Sequence, residues 1–323
     1  MALLDVKDLK TYFRTDDGIV KAVDGVSFSV EKGKTLGIVG ESGCGKSVTC
    51  LTIMGLNSRK TSITSGEAMW KGKNLIGMSA KQLRAIRGDE IAMIFQDPMT
   101  SLNPVHKVGS QLTEAILLHQ DITKAAARRR ALDLLKAVGI PRADARIDDY
   151  PHQFSGGMRQ RVMIAMALVN NPDLLIADEP TTALDVTTEA QILDLLLELQ
   201  NDFGMAMQYI THNMGVVAEL VDDVVVMYLG KPVEYGPVEE IFENPQHPYT
   251  RALLRAIPKL GKKSRERLAS IKGMVPDPYR IPTGCAFHPR CPRHVPDVCA
   301  EPVYVDVGPD HRVLCNRAGD PWE

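Results

Sequence analysis

Leu36-Gly37-Ile38-Val39-Gly40-Glu41-Ser42-Gly43-Cys44-Gly45-Lys46-Ser47 reads as an apolar strand running into a glycine-rich loop. Gly40 to Ser47 fits G-x-x-x-x-G-K-[ST] at every fixed position, and Val48 to Gly55 reads as the helix that should follow. The glycines let successive N–H groups turn inward onto a triphosphate, and the helix N-terminus adds positive potential. The candidate phosphate-holding residues are therefore Gly40, Ser42, Gly43, Cys44, Gly45, Lys46, Ser47 and Val48. Lys46 is expected to reach the β- and γ-phosphates, and Ser47 to ligate Mg²⁺. The bland alternative, a chance glycine-rich turn, does not explain the flanking strand and helix.

Downstream, Leu174-Leu175-Ile176-Ala177-Asp178-Glu179 is an apolar run ending in acid. A run this apolar suits a parallel strand covered on both faces. Acids at its carboxyl end lie where α/β sheets bind ligands. Asp178 is expected to hold Mg²⁺, directly or through water, and Glu179 to polarise the attacking water as general base. A helix N-cap beside Pro180 is the structural alternative. Just ahead of this strand, Phe154-Ser155-Gly156-Gly157-Met158-Arg159-Gln160-Arg161 carries a second glycine pair. Ser155 and the amides of Gly156 and Gly157 offer donors to a phosphate with no side chain in the way. Taken alone, Ser-Gly-Gly is an ordinary flexible turn.

With 323 residues and a hydrophobic fraction of 44%, the chain suits one large domain with an appendage, or two domains. A net charge of −2 gives no electrostatic argument for nucleic acid. No N-terminal stretch has a basic start followed by an apolar segment, and no apolar run approaches the roughly 18 residues of a membrane span. A soluble chain that reaches a membrane only through partners is expected. In residues 20–30, Val26, Phe28 and Val30 alternate with Ser27 and Ser29, the pattern of a half-exposed antiparallel strand. With residues 3–9 it suggests a small β subdomain ahead of the phosphate loop. Leu112, Ile116 and Leu117, then Ala131, Leu134, Leu135 and Val138, recur at helical spacing and predict a helical insertion over about residues 100–165. Arg128-Arg129-Arg130 on it reads as a solvated helix face. A helix over 191–200, strands over 205–210 and 224–228, and a short helix over 251–256 complete an α/β pattern with a mainly parallel sheet.

Together these motifs, in this order over about residues 3–245, resemble the ATP-binding subunits of ABC transporters. The resemblance implies a P-loop ABC ATPase core: a mainly parallel sheet, an antiparallel β subdomain and a helical insertion. It makes Gln96, in Ile94-Phe95-Gln96-Asp97-Pro98, the Q-loop residue that contacts Mg²⁺ or water and relays to the membrane subunits. It makes Ala183-Leu184-Asp185 the D-loop at a dimer seam, and His212 the switch histidine on the γ-phosphate. Asn213 stands where the family often has Asp. Phe13, or its neighbour Tyr12, resembles the aromatic that stacks on adenine. Two such subunits pack head to tail in the family, so Ser155, Gly156, Gly157 and Gln160 would serve the ATP held by the partner. The segment Asp97 to Pro104 would lie near a groove that receives a coupling helix of the membrane subunit.

After Gly236 the texture changes. Asn244-Pro245-Gln246-His247-Pro248-Tyr249-Thr250 resembles a segment specific to peptide-importer ATPases, and a basic linker follows at Lys262-Lys263-Ser264-Arg265. Four of the six cysteines then cluster: Cys285, Cys291, Cys299 and Cys315. Disulfides, zinc, an iron–sulfur site and simple buried thiols are all open on chemistry alone. The dipeptide and oligopeptide branch carries a Cys-rich C-terminal region of this kind, and that resemblance implies a structural [4Fe–4S] cluster. Cys44 and Cys50 fall outside the group, and Cys44 reads as filler in the loop. The expected domains are residues 1–245, which bind ATP, and residues 246–323, the peptide-importer region. The resemblance further implies a second, related ATPase subunit, two membrane permease subunits and, indirectly, an external solute-binding protein, with the chain peripheral on the cytoplasmic face of the cell membrane. Relatives carry dipeptides, oligopeptides, glutathione, nickel and sugars. A soluble ABC-type ATPase working on nucleic acid would favour two motif sets in one chain, and a metal-sensing regulator would tolerate loss of Lys46 or Glu179; neither condition is met here.

Overall fold

The computed structural model describes residues 2–97, 101–182, 184–257 and 271–322. Its packing divides the chain into two units, residues 1–31, 35–77 and 210–323, and residues 32–34 and 78–209.

In the first unit, β1 (Leu4–Thr15) and β2 (Gly18–Val30) form an antiparallel hairpin that β4 (Ser62–Trp70) and β5 (Lys73–Asn74) extend in the order β2-β1-β4-β5. The alternation in β2 is as expected: Val26, Phe28 and Val30 are buried against Leu4, Val6 and Leu9, while Ser27 is exposed. The hairpin slips register between Val6 and Leu9, where Asp8 sits at φ 45. Gly66 permits this bulge, because a Cβ there would stand 2.3 Å from the Asp8 carbonyl oxygen.

The second sheet of this unit runs β11-β12-β10-β9-β3. Here β3 (Thr35–Val39) lies parallel to β9 (Asp223–Tyr228), and β10 (Lys231–Pro237), β12 (His311–Leu314) and β11 (Tyr304–Gly308) continue antiparallel. Residues beyond 245 therefore extend the sheet that begins at the phosphate loop. The helices are α1 (Lys46–Ile53), α8 (Met214–Leu220), α9 (Val238–Glu243), α10 (Pro248–Arg255) and α11 (Pro296–Cys299). α10 begins three residues before the predicted start, because Pro248 suits its first position and the His247 ring accepts from Tyr249 N–H at 3.1 Å.

In the second unit, β6 (Ile91–Ile94) is parallel to β7 (Leu174–Asp178), and β8 (Ala206–Thr211) follows on the other side of β7. Every residue of β7 is buried, as a strand covered on both faces requires. The helices are α2 (Ala80–Ile86), α3 (Val108–Leu117), α4 (Lys124–Ala137), α5 (Ala143–Arg146), α6 (Gly156–Leu168) and α7 (Val186–Phe203). Leu112, Ile116, Ala131, Leu134, Leu135 and Val138 form the predicted apolar faces, but Leu117 lies at the solvent edge with 39% exposure. The arginine run works within the fold: Arg128 bonds Asp148 at 2.7 Å, and Arg130 bonds Gln120 and Asn171. Pro98, Met99, Thr100, Ala183 and the basic linker 262–265 lie outside the described residues.

Candidate nucleotide-binding site

The phosphate loop is shaped by three glycines at positive φ: Gly40 (149), Gly43 (79) and Gly45 (103). Two of them are sterically obligatory. A Cβ at Gly40 would stand 2.3 Å from the Met227 carbonyl oxygen, and one at Gly45 would stand 2.2 Å from that of Ala22. The loop is thus pressed against β9 and β2 with no room for a side chain. Lys46 is 5% exposed, and its Nζ donates to the carbonyls of Gly40 at 2.9 Å and Glu41 at 3.3 Å. That ammonium closes the loop from inside, where the motif needs a cation. Ser42 and Gly43 are exposed, while Ser47 and Val48 are half-buried in the first turn of α1. Cys44 is 3% exposed and burial pushes its thiol up, away from the thiolate form.

Sequence reasoning missed what stands behind the loop. Tyr228, Tyr249 and Phe287 form a buried aromatic cluster with ring centroids 4.7 to 5.4 Å apart. Tyr249 Oη accepts the Glu41 N–H at 2.8 Å. Arg290 forks onto the Glu41 carboxylate, Nη1 to Oε2 at 2.6 Å and Nη2 to Oε1 at 3.0 Å. The sole signal in the sequence is an acid at a free position of a loop built for anions.

His212 is exposed just beyond β8. Asn213 follows it as the N-cap of α8, its Oδ1 accepting from Gly215 N–H at 3.0 Å. An Asp would make the same bond, so the departure from the family's residue leaves the local hydrogen bonding intact. In β1, Tyr12 donates its hydroxyl to Asp24 and lies under Lys21, whose Nζ is 5.5 Å from the ring. Burial and that bond push Tyr12 up to about 12. Phe13, next in the strand, is half-buried on the opposite face.

The second unit holds the acids. Asp178 ends β7 at 5% exposure. Glu179 follows at φ 46, a conformation that a non-glycine residue adopts only where its surroundings enforce it. Its Oε2 accepts from Gln96 Nε2 at 3.2 Å and from Thr182 Oγ1 at 3.0 Å. The structure therefore brings together the Q-loop glutamine and the expected base. Asp185 caps α7 by accepting from Thr188 N–H at 3.0 Å and from its hydroxyl at 2.8 Å; these bonds hold its carboxyl below the usual range.

Ser-Gly-Gly is not a free turn. Ser155 is the N-cap of α6, its Oγ accepting from Met158 N–H at 3.3 Å, and Gly156 and Gly157 form the first helical positions. Ser155 and Gly156 are exposed, so the helix N-terminus is offered outward. Gln160, by contrast, is 1% exposed on the inward side of α6.

Cys285, Cys291, Cys299 and Cys315 line one pocket with His247, Phe287 and His294 among its walls. A backbone bond from Cys285 N–H to the Cys299 carbonyl (3.1 Å) ties two segments of the pocket together, and Cys291 N–H closes a local turn onto the His288 carbonyl (3.2 Å). Burial dominates and pushes up the thiols of Cys285, Cys291 and Cys315, against backbone hydrogen bonding from Phe287, Arg293 and Arg317 respectively. Burial, reinforced by the neighbouring thiols, pushes Cys285 up to about 11. Among the described residues, no group of three or more His, Cys, Asp or Glu side chains stands at metal-binding geometry.

Residues 23–182 match the ABC transporter family, and residues 233–299 match the oligopeptide/dipeptide transporter C-terminal region. The probable peptide ABC transporter ATP-binding protein y4tR of Sinorhizobium fredii is 50% identical over 321 residues, 98% of this chain and 96% of its own length. The chain is an ABC transporter ATP-binding subunit. The dipeptide transport ATP-binding protein DppD of Escherichia coli is 53% identical to this subunit over 292 residues, 90% of this chain and 89% of its own. DppD of Lactococcus lactis is 52% identical over 311 residues, 96% and 89% of the two chains. Among solved structures, the dimeric post-hydrolysis state of the ATP-binding cassette MJ0796 bound to ADP and Pi aligns with a TM-score of 0.65 at 27% identity, covering 73% of this subunit and 98% of that chain. The cassette cbiO1 of Clostridium perfringens, part of the transporter complex cbiONQ, aligns with a TM-score of 0.63 at 30% identity, covering 75% and 91%. The ABC subunit thus has the cassette fold and ATPase activity. Among its described residues, no helix is long and apolar enough to cross a membrane.

Proposed function

We propose that this ABC subunit powers import of di- or oligopeptides across the cytoplasmic membrane. The observation that carries the cargo class is the match of residues 233–299 to the oligopeptide/dipeptide C-terminal region in a chain that also bears a complete ATPase motif set. Relatives of about half-identical sequence named for dipeptide transport support it.

In this reading, residues 1–245 bind and hydrolyse ATP and residues 246–323 are the peptide-importer region. Phe13 stacks on adenine; Tyr12 is already committed to Asp24. The amides from Gly40 to Val48 cradle the phosphates, with Lys46 on the β- and γ-phosphates. Ser47, Gln96 and Asp178 would hold Mg²⁺, which would supply neutralisation of developing phosphate charge. Glu179 takes the proton of the attacking water while Gln96 and Thr182 orient its carboxylate, and His212 contacts the γ-phosphate. Ser155, Gly156 and Gly157 face the ATP of a second, related ATPase subunit; Gln160, expected to join them, is instead buried on the inward side of α6 and is left out of that contact. ATP closes the pair, hydrolysis reopens it, and two permease subunits that anchor the chain at the cytoplasmic face follow the motion.

The donor set of the cysteine pocket is the basis of a [4Fe–4S] reading: four thiols line one cavity. Burial raises Cys285, Cys291 and Cys315, so a bound cluster would have to displace their protons. Cys285, Cys291, Cys299 and Cys315 would hold it, and its contribution is to staple a segment with little core of its own. Anaerobically purified protein should carry iron and acid-labile sulfide, and protein lacking both removes this assignment.

Co-purified with its permease subunits in vesicles, the protein should take up labelled peptide with ATP and lose that uptake in Glu179→Gln. Uptake of nickel, glutathione or sugar in place of peptide would overturn the cargo class.

A further inference from the structure

We propose that Arg290 and Tyr249, from the C-terminal region, are positioning residues for the phosphate loop and set its affinity for ATP through Glu41. This rests on the reading of Gly40 to Ser47 as the ATP cradle.

Glu41 occupies a free position of a loop whose N–H groups face an anion. Uncompensated, its carboxylate would repel a triphosphate at a few ångströms. Arg290 removes that charge. Its side chain is 3% exposed and that of Glu41 26%, so the pair is largely withdrawn from solvent. The fork is bidentate, the geometry in which guanidinium and carboxylate hold each other most rigidly. Arg290 is itself fixed: Nε donates to the Lys272 carbonyl at 3.2 Å, Nη1 lies 3.4 Å from Tyr228 Oη, and the guanidinium sits 5.8 Å from the Phe287 ring. Tyr249 Oη, from the same aromatic cluster, holds the Glu41 backbone by accepting its N–H at 2.8 Å. Glu41 is thus held by both side chain and main chain. The two anchors come from α10 and from the segment between Cys285 and Cys291.

Bonds of this kind could do no more than fasten the C-terminal region, and the test separates the two roles. ATP affinity of the full chain is measured with a fluorescent ATP analogue, and KM and kcat by phosphate release, for wild type, Arg290→Gln, Glu41→Gln and the double variant. Arg290→Gln should weaken ATP binding and raise KM about tenfold or more, the cost of leaving one charge of a buried pair unmatched, with kcat at saturating ATP changed little. The double variant should recover most of the lost affinity, because the carboxylate that repels phosphate is gone. Tyr249→Phe, which keeps the ring and removes only the acceptor, should raise KM on its own, and it carries the test if Arg290→Gln does not fold. A fastening role alone would lower the melting temperature and leave KM for ATP at the wild-type value; that result, or a double variant no better than Arg290→Gln, overturns the proposal. Wild type that binds ATP, with Lys46→Ala that does not, verifies the cradle independently. Wild type that fails to bind ATP sinks the cradle reading and this inference with it.

Discussion

Gln96 and Glu179 meet on a single oxygen: Gln96 Nε2 donates to Glu179 Oε2 at 3.2 Å, and Thr182 Oγ1 shares that atom. The carboxylate is turned by two donors while its backbone is held at φ 46. Glu179→Gln keeps the shape and removes the base. ATP turnover should fall by about 10²- to 10⁴-fold, with ATP still bound. Turnover equal to wild type would remove Glu179 from the base role.

Gln96→Ala deletes one donor to a charged group. A hydrogen bond of that kind contributes roughly 1.5–3 kcal/mol, so about a tenfold or greater loss of kcat is expected. Steady-state phosphate release checks it; an effect confined to KM would mean that Gln96 acts only on nucleotide binding.

Gly45 should tolerate no side chain. In Gly45→Ala the backbone stays at φ 103 and the new Cβ meets the Ala22 carbonyl oxygen at 2.2 Å. The strained backbone alone costs on the order of 1–3 kcal/mol. Thermal denaturation should register a lower midpoint together with lost ATP binding, and an unchanged midpoint would show that the loop can shift away.

Ser155 has two separable roles. Ser155→Ala removes the cap of α6 and should cost about 1 kcal/mol. Ser155→Asp restores a cap yet presents a carboxylate where a partner's phosphates are expected. Stability near wild type with turnover reduced at least tenfold is the expected outcome for Asp. Full turnover in Ser155→Asp would leave Ser155 as a helix cap alone.

His247 is buried and neutral, its ring nitrogen accepting from Tyr249 N–H, and burial lowers it to about 4. Its folded value lies below the usual 6.5, so the unfolded chain binds more protons as the solution acidifies. Stability is unaffected above pH 6.5 and is lost progressively from pH 6.5 down to about 4, by on the order of 3 kcal/mol. His247→Asn keeps a capping acceptor without the proton. Its denaturation midpoint should depend less on pH across that window; equal slopes would exclude His247 as the cause.

Much of the site is legible in the sequence because its parts are local. Strand, loop and helix adjoin at 36–55, and the acid-ended strand announces itself by having no polar residue before Asp178. The helix start at Ser155 is harder to read, because two glycines after a serine resemble a turn, although serine is also a preferred N-cap. Arg290 is not legible: its partner lies 249 residues away, and it sits in a proline-rich stretch with no periodicity. The Asp8 bulge is equally hidden, since it depends on the backbone of another strand meeting Gly66.

Strand β10 pairs through Glu234 and Tyr235 with Val313 and Arg312 of β12. During synthesis, then, every motif for ATP has left the ribosome while this edge of the nucleotide unit still lies open. A message cut short after residue 245 would yield a chain with all its catalytic signatures and an unpaired strand edge, a template for association with other chains.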